Sequence, residues 1–412
     1  MRRTRQASAG ALLAMALASE PAGAVEPADA ASGPLEAITG GNLLLNLRPR
    51  WEHVEQDGKS SDADAYTMRT LLGWRTKTWD GLGVTLEGIN VGHLGDQHYN
   101  PNPAATSPYP TVADPDVTDL NQLYLDYTGV PDTLVRAGRQ SIKLDNVRFL
   151  GNVEFRQVMQ VFNAVTVENT SLTDTRIYAG FLMRQRTTLG TQRDINEPLV
   201  NVRWTWKPGN ALIGYGYFQD QANTGQITGF RDNSNRIVGV RGDGAYPLSG
   251  QWKLLYTAEY ADQQSYSGGD ARIDASYYHA GGGGQWGDFY LRVDQEKLGS
   301  NDGLYAFQTP LGTNHLFQGW GDQFLTTPRQ GLRDTYVTGG AKVWKIGLYT
   351  ELHRFRADFG GIDFGHEIDV GATWPIAQSL TAKLEYADYQ AGDTASAKTD
   401  LRKVWVTLVY QY

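Results

Sequence analysis

From Asn42 to the carboxyl terminus the chain alternates apolar and polar residues with a period of two. Leu43, Leu45, Leu47 and Trp51 share one parity, and Asn46, Arg48, Arg50 and Glu52 share the other. The pattern recurs: Met68, Leu72 and Trp74 oppose Arg69 and Arg75; Val200, Val202, Trp204 and Trp206 oppose Asn201, Arg203 and Thr205. Trp252, Leu254, Tyr256, Ala258 and Tyr260 oppose Lys253, Thr257 and Glu259, and Ile368, Val370, Ala372 and Trp374 oppose Glu367, Asp369 and Thr373. Successive side chains of a strand point to opposite faces, so each segment predicts a strand with one aromatic-aliphatic face and one charged face. The last stretch, Lys403 to Tyr412, places Val404, Val406, Leu408, Tyr410 and Tyr412 on one face. An apolar strand with a free edge recruits other chains in water, and closing the sheet on itself removes that edge.

Bounding the strands by turn chemistry predicts about eighteen of them, joined by connections that alternate in length. Short links are expected at Trp79–Gly81, Val130–Asp132, Lys207–Asn210, Tyr246–Ser249, Val343–Lys345 and Pro375–Ala377. Long ones are expected near His53–Ala65, His93–Thr118, Ser141–Gln160, Arg184–Glu197, Asp220–Asn233, Leu298–Gly331 and Gln390–Asp400. Gly281 to Gly284 read as a tight turn between strands. This predicts an all-β chain, a single transmembrane antiparallel β-barrel over residues 42–412, with short periplasmic turns, long extracellular loops and both termini periplasmic. Trp51, Trp74, Trp206, Trp252, Trp286, Trp374, Tyr410 and Tyr412 would form interfacial girdles.

Composition sharpens the picture. The chain has no cysteine, which excludes a disulfide framework and a thiol nucleophile. A mean hydropathy of −0.43 argues against a helical membrane protein, but not against a barrel, whose lumen-facing half is polar. At the amino terminus Arg2, Arg3 and Arg5, the apolar run Ala11–Ala18 and Ala22-Gly23-Ala24 have the order of a signal peptide, expected at 1–24 and followed by a short periplasmic segment at 25–41. Its removal would make a formal charge of −8 two units more negative, a poor prospect for nucleic acid. The expected surroundings are outer-membrane lipid and, through the strand ending at Tyr412, the barrel assembly machinery; the expected state is a monomer.

Three stretches carry a family resemblance. Leu47-Arg48-Pro49-Arg50-Trp51-Glu52 with Met68-Arg69-Thr70-Leu71-Leu72-Gly73-Trp74-Arg75-Thr76 is the first. Gly138-Arg139-Gln140, continuing through Leu144–Asn152 and Phe155-Arg156-Gln157 to Phe162–Val165, is the second. The third is Tyr305–Leu311, Gly319–Leu325, Pro328 and Gly331-Leu332-Arg333-Asp334. Together they resemble the bacterial alginate export family of outer-membrane barrels. The resemblance implies a narrow, charge-lined path for an anionic uronate polysaccharide or another solute, with Arg69, Arg75, Arg139, Arg148, Arg156 and Arg333 at its basic positions.

The residues themselves predict a lumen with both signs of charge. Parity turns Arg48, Arg50, Arg69, Arg75, Arg203, Arg241 and Arg292 inward. The same rule turns Glu52, Glu87, Asp126, Glu259, Asp288, Glu367, Asp369 and Glu385 inward. Arginine binds carboxylates bidentately and keeps its charge, so these groups suit an anion path, whereas pairing among them would only brace the wall. Asp334 joins the candidate pathway from the third stretch. The loop Leu298–Gly331 carries Tyr305, Phe307, Phe317, Trp320 and Phe324; so many rings in one loop predict packing against the inner wall or across the mouth, as a constriction. No Gly-x-Ser-x-Gly, His-Glu-x-x-His or Walker motif and no dinucleotide fingerprint is present, and His279, His353 and His366 have no triad spacing, so neither an enzyme nor a cofactor is expected. Asp114, Asp116 and Asp119 offer at most a Ca²⁺ site, and solvated carboxylates are the simpler reading. Two functions follow: an export or diffusion channel for an anionic or polar solute, or an uptake porin for a small organic solute.

Overall fold

The computed structural model describes residues 30–220 and 232–412. The expected leader and most of the Asp220–Asn233 connection lie outside the described residues. A short helix, α1 (Pro34–Thr39), leads into the barrel, and the Trp74 indole donates to the Ile38 carbonyl at 2.8 Å. The strands follow in chain order: β1 (Asn42–Gln56), β2 (Ala63–Arg75), β3 (Leu82–His93), β4 (Val117–Tyr127), β5 (Thr133–Gln140), β6 (Val161–Asn169) and β7 (Thr175–Arg186). Then come β8 (Gln192–Lys207), β9 (Asn210–Gln219), β10 (Asn235–Pro247), β11 (Trp252–Ser265), β12 (Asp274–Trp286) and β13 (Phe289–Leu298). A two-residue pair, β14 (Ser300–Asn301) and β15 (Tyr305–Ala306), precedes β16 (Leu332–Val343), β17 (Ile346–Arg356), β18 (Asp363–Ala377), β19 (Leu380–Gln390) and β20 (Leu401–Gln411).

All but β14 and β15 form one antiparallel sheet of eighteen strands, each paired with its neighbours in sequence, and β20 returns to β1. The closing register sets Asn46 against Gln411, Trp51 against Val406 and Gln56 against Leu401, and the Tyr412 amide donates to the Leu45 carbonyl at 3.0 Å. No backbone edge is left open, which a sheet in hydrocarbon requires because each orphan amide there costs several kcal/mol.

The alternation turns inside out relative to a soluble protein. On β13, Leu291 and Val293 are more than half exposed, while Arg292 between them is buried. Facing Arg292 outward would cost about 2–4 kcal/mol at mid-bilayer. Outside, Trp206 stacks with Tyr246, and Trp252 sits near Trp286 at the short-turn end; Trp51 stacks on Tyr66 toward the long-loop end. The expected aromatics thus sit at both ends of the wall.

Four details differ from the sequence expectation. The glycines Gly281–Gly284 are not a turn but the middle of β12, opposite Thr257–Leu254 on one side and Asp294–Leu291 on the other. A Cβ on Gly281 would lie 1.7 Å from Asp294 Oδ1, so the glycine makes the room that Asp294 occupies. Asp288 sits exposed in the β12–β13 turn rather than on the lumen wall. Pro375–Ala377 are the end of β18, where the register shifts, and the turn falls one step later. The long loops expected at His53–Ala65 and Arg184–Glu197 shrink to residues 57–62 and Thr187–Thr191, because the strands run on through polar residues; Arg184 pairs with Asp194 across the second at 2.6 Å.

Candidate functional site

Two loops fold inward and lock together across the lumen. One is the β5–β6 connection, residues 141–160; the other is the β13–β16 connection, residues 299–331. They exchange backbone hydrogen bonds, Gly151 N–H to the Leu311 carbonyl at 2.9 Å and Thr313 N–H to the Val147 carbonyl at 2.9 Å, and Thr313 Oγ1 accepts from the Val153 amide. Val147 and Val153 both hold positive φ, 59° and 52°. Such a backbone costs a β-branched residue about 1–3 kcal/mol and persists only where its surroundings fix it, as the Thr313 bonds do here.

Aromatic pads anchor the pair to the wall. Phe149 meets Tyr215, Tyr277 and Phe307, the nearest at 5.2 Å between ring centres, and Phe324 meets Phe355 at 4.7 Å and Phe364 at 5.7 Å. Of the rings in the longer loop, Tyr305, Phe307, Trp320 and Phe324 are buried; Phe317 is half-buried beneath the Arg148 guanidinium at 4.6 Å. The sequence reading singled out this loop alone. Its partner is the second resemblance stretch, and Phe149 and Phe155 within it were the available signal.

Charged groups tie the loops down. Arg48 donates to Gln157 Oε1 at 2.9 Å and to the carbonyls of Glu154, Phe155 and Arg156, clamping the turn of the shorter loop. Arg156 reaches Asp322 at 2.7 Å and Glu52 at 3.4 Å. Asp322 also receives Lys403 at 3.0 Å and His315 at 2.8 Å, so one carboxylate joins both loops to β20. Burial by itself would raise the Asp322 carboxyl, but Lys403, His315 and Arg156 outweigh it and hold the group well below the ordinary carboxylate range. Arg148 pairs with Glu296 at 2.6 Å and donates to Gln318 at 2.9 Å. Asp114, buried, accepts from the Gln157 amide at 2.7 Å; Asp116 faces His93, and Asp119 faces Arg139 and Arg186. The three aspartates engage different partners and form no common Ca²⁺ cage.

The candidate arginines fall into two groups. Arg50, Arg139, Arg148, Arg156, Arg203, Arg241, Arg292 and Arg333 each have a carboxylate within 4.0 Å, and Asp334 pairs with His353 at 2.8 Å. Arg75 is exposed at the short-turn end. Arg48 and Arg69, opposite one another in the β1–β2 register, form no ion pair among the described residues; Arg50 beside them is 3.8 Å from Asp114. Arg50 Nη1 and Arg69 Nε and Nη1 are buried donors without an acceptor. Charge is therefore weighted by sector: Arg48, Arg50 and Arg69 lie on β1–β2, with Glu52 and Asp114 at their loop side, and Asp334, Glu351, Glu367, Asp369 and Glu385 line β16–β19, with Arg156, Asp322 and Lys403 at the seam.

Burial also marks the level of the constriction. Inward residues at loop height, such as Glu52, Arg69 and Glu296, are fully buried, whereas Arg75 and Lys383 nearer the short turns are exposed and Arg203 and Glu385 partly so. The lumen is narrowed where the loops cross it and wider below. A closed barrel with a polar lumen, in-folded loops and an apolar belt is an outer-membrane β-barrel of the porin type. The model of the alginate export family matches residues 52–307, and the chain belongs to that family. Among solved structures, Pseudomonas aeruginosa OpdL has 14% identity and a TM-score of 0.69, covering 91% of this chain and 99% of its own. OccK9 (OpdG) of the same organism has 13% identity and a TM-score of 0.70, covering 91% and 100%. OpdK, solved with vanillate, has 12% identity and a TM-score of 0.69, covering 90% and 98%. These show the fold. No curated protein matches the chain.

Proposed function

We propose that this porin is a passive, anion-preferring channel for small carboxylated solutes, with the two in-folded loops as its constriction and Arg48, Arg50 and Arg69 as its anion-binding strip. The observation that carries it is the pair of buried Arg69 nitrogens, Nε and Nη1, that meet no acceptor among the described residues, with Arg50 Nη1 beside them no closer to a carboxylate than 3.8 Å. Unpaired buried donors are costly, and a carboxylate supplies the charge-assisted, bidentate acceptor they lack. The narrowed lumen favours a small solute over a polymer, and the vanillate bound by OpdK is a carboxylate of that size. Export of a uronate polysaccharide, the reading that family membership favours, requires the loop pair to swing aside.

In this reading the short turns and both termini face the periplasm, residues 1–24 are a cleaved signal peptide, the Tyr412-ended strand is read by the barrel assembly machinery, and the barrel works as a monomer. Planar-bilayer recording with vanillate and with oligouronates added in turn tests the assignment. Block by vanillate at lower concentration than by oligouronates supports it. The reverse order supports export, and equal indifference to both removes the anion strip from the account.

A further inference from the structure

The acidic sector holds a group that the channel reading does not use. Glu351 and Asp369 are register partners on β17 and β18, and His353 sits one inward step from Glu351. His353 Nε2 lies 3.2 Å from Glu351 Oε2 and 3.6 Å from Asp369 Oδ2, and the three donor atoms all fall within 4.8 Å of one another. Ligands held about 2.0–2.2 Å from a common ion are spaced on this scale. Behind the ring, Asp334 Oδ2 lies 2.8 Å from His353 Nδ1, the arrangement in which a carboxylate takes the Nδ1–H and leaves the Nε2 lone pair directed at an ion.

Two further facts favour a cation at this position. Asp369 Oδ1 and Glu367 Oε2 are buried and receive no N–H of the described residues; the two carboxyl groups face each other. Around one imidazole stand four carboxylates, Asp334, Glu351, Glu367 and Asp369, and Lys403 on the wall is engaged by Asp322 at 3.0 Å. An imidazolium, and one proton shared between Glu367 and Asp369, still leave part of that buried negative charge uncompensated, which is expensive at low dielectric. We infer that Glu351, His353 and Asp369 form a binding site for a divalent transition-metal ion of the Zn²⁺ type on the lumen wall. One imidazole with two carboxylates suits Zn²⁺, Co²⁺ or Mn²⁺ better than Mg²⁺ or Ca²⁺, which prefer oxygen alone. Glu351 keeps about a fifth of its side chain exposed, which gives the ion its way in from the lumen.

The site lies beside the constriction. The Trp320 amide donates to Asp369 Oδ2 at 3.3 Å and the Gly321 amide to Glu367 Oε1 at 2.5 Å, so the tip of the longer loop rests on the same carboxylates. A metal ion on Asp369 Oδ2 competes with the Trp320 contact. The inference is independent of which solute the channel passes.

The test uses the untagged full chain, folded in detergent and stripped with a chelator. Co²⁺ is titrated while its visible absorption is followed, and Zn²⁺ is then added as competitor. The expected result is one Co²⁺ per chain, displaced by one Zn²⁺, with affinity at least about tenfold lower in E351Q and D369N. Asp334→Asn, which removes only the group behind the ring, should weaken binding by about 10- to 100-fold. Retained heat-modifiable gel mobility shows that each variant is folded, and Glu351, partly exposed, is the position least able to disturb folding. Absence of stoichiometric Co²⁺ binding by the wild type, or unchanged affinity in both folded E351Q and folded D369N, overturns the site.

Discussion

Replacing Asp322 by Asn tests how the constriction is held. The Asp322 carboxylate is almost completely buried and contacts Arg156 at 2.7 Å, His315 at 2.8 Å and Lys403 at 3.0 Å. Removing one partner of a buried ion pair costs about 3–5 kcal/mol, because the remaining charge stays desolvated. Here the loss falls on the junction of the two loops and β20 rather than on the wall ladder, so it favours release of the loops over unfolding of the barrel. At about 1.4 kcal/mol per decade, the loop-open population rises more than a hundredfold. The same carboxylate sets an acid response. Its folded-state value lies below that of an unfolded aspartate, about 3.9, so its contribution is full above roughly pH 4 and is lost as the pH falls through the folded value. Wild-type conductance should therefore step up below about pH 4, while D322N conducts more at pH 7 and shows a smaller acid step. Limited proteolysis within 299–331 should follow the same order. A D322N protein with wild-type conductance, wild-type protease resistance and an unchanged acid step would refute this account of the junction.

Other consequences are independently testable. R69Q removes a charged donor from the anion strip, worth about 1.5–3 kcal/mol, so vanillate block in bilayer recordings should weaken about tenfold or more; unchanged block would clear Arg69 of the role. Gly281→Leu drives a side chain into the space of Asp294 Oδ1 and should reduce or abolish formation of the heat-modifiable barrel band, whereas G282A, whose Cβ would find nothing nearer than 3.6 Å, should assemble normally. Because the chain has no cysteine, single cysteines at Leu408 and Thr407 can report the two faces of β20. In reconstituted membranes a lipid-soluble maleimide should label the first preferentially, and the reverse preference would contradict the assignment of lipid to the Val404–Tyr412 face. Deleting Tyr412, whose amide extends the closing ladder to Leu45, should lower the amount of folded barrel recovered from cell envelopes.

The wall was legible because the bilayer imposes one rule on every strand, and period-two alternation writes that rule into the sequence. The terminal strand shows it best: Val406 and Leu408 face out, Lys403 and Thr407 face in, and its partner is β1. Legibility failed where side-chain pattern is absent or ambiguous. Four glycines carry no alternation, so turn chemistry was the nearest available reading; the close approach of Asp294 to Gly281 and of the Leu291 carbonyl to Gly283 explains glycine at those two strand positions. At Arg184–Glu197 the apolar pattern stops at the membrane boundary while the ladder continues into water.

The candidate site was legible in part. Parity turned Arg48, Arg50 and Arg69 inward, but whether an inward arginine is paired depends on loops that cross from distant parts of the chain. Arg156 and Asp322 are 166 residues apart in sequence, and no local pattern relates them to each other or to Lys403. The family-like segments bracketed both loops, yet only the longer loop stood out, because its rings are dense while the shorter loop is held by Gln157, Gln160 and backbone carbonyls.

The central claim is that the loop pair, rather than the eighteen-stranded wall, sets the width of the path. Single-channel conductance of the wild type against a variant in which residues 305–327 are replaced by a short Gly-Ser linker tests it most directly. The account predicts a small wild-type conductance and one several-fold larger in the variant. Equal conductances from two folded barrels would contradict it.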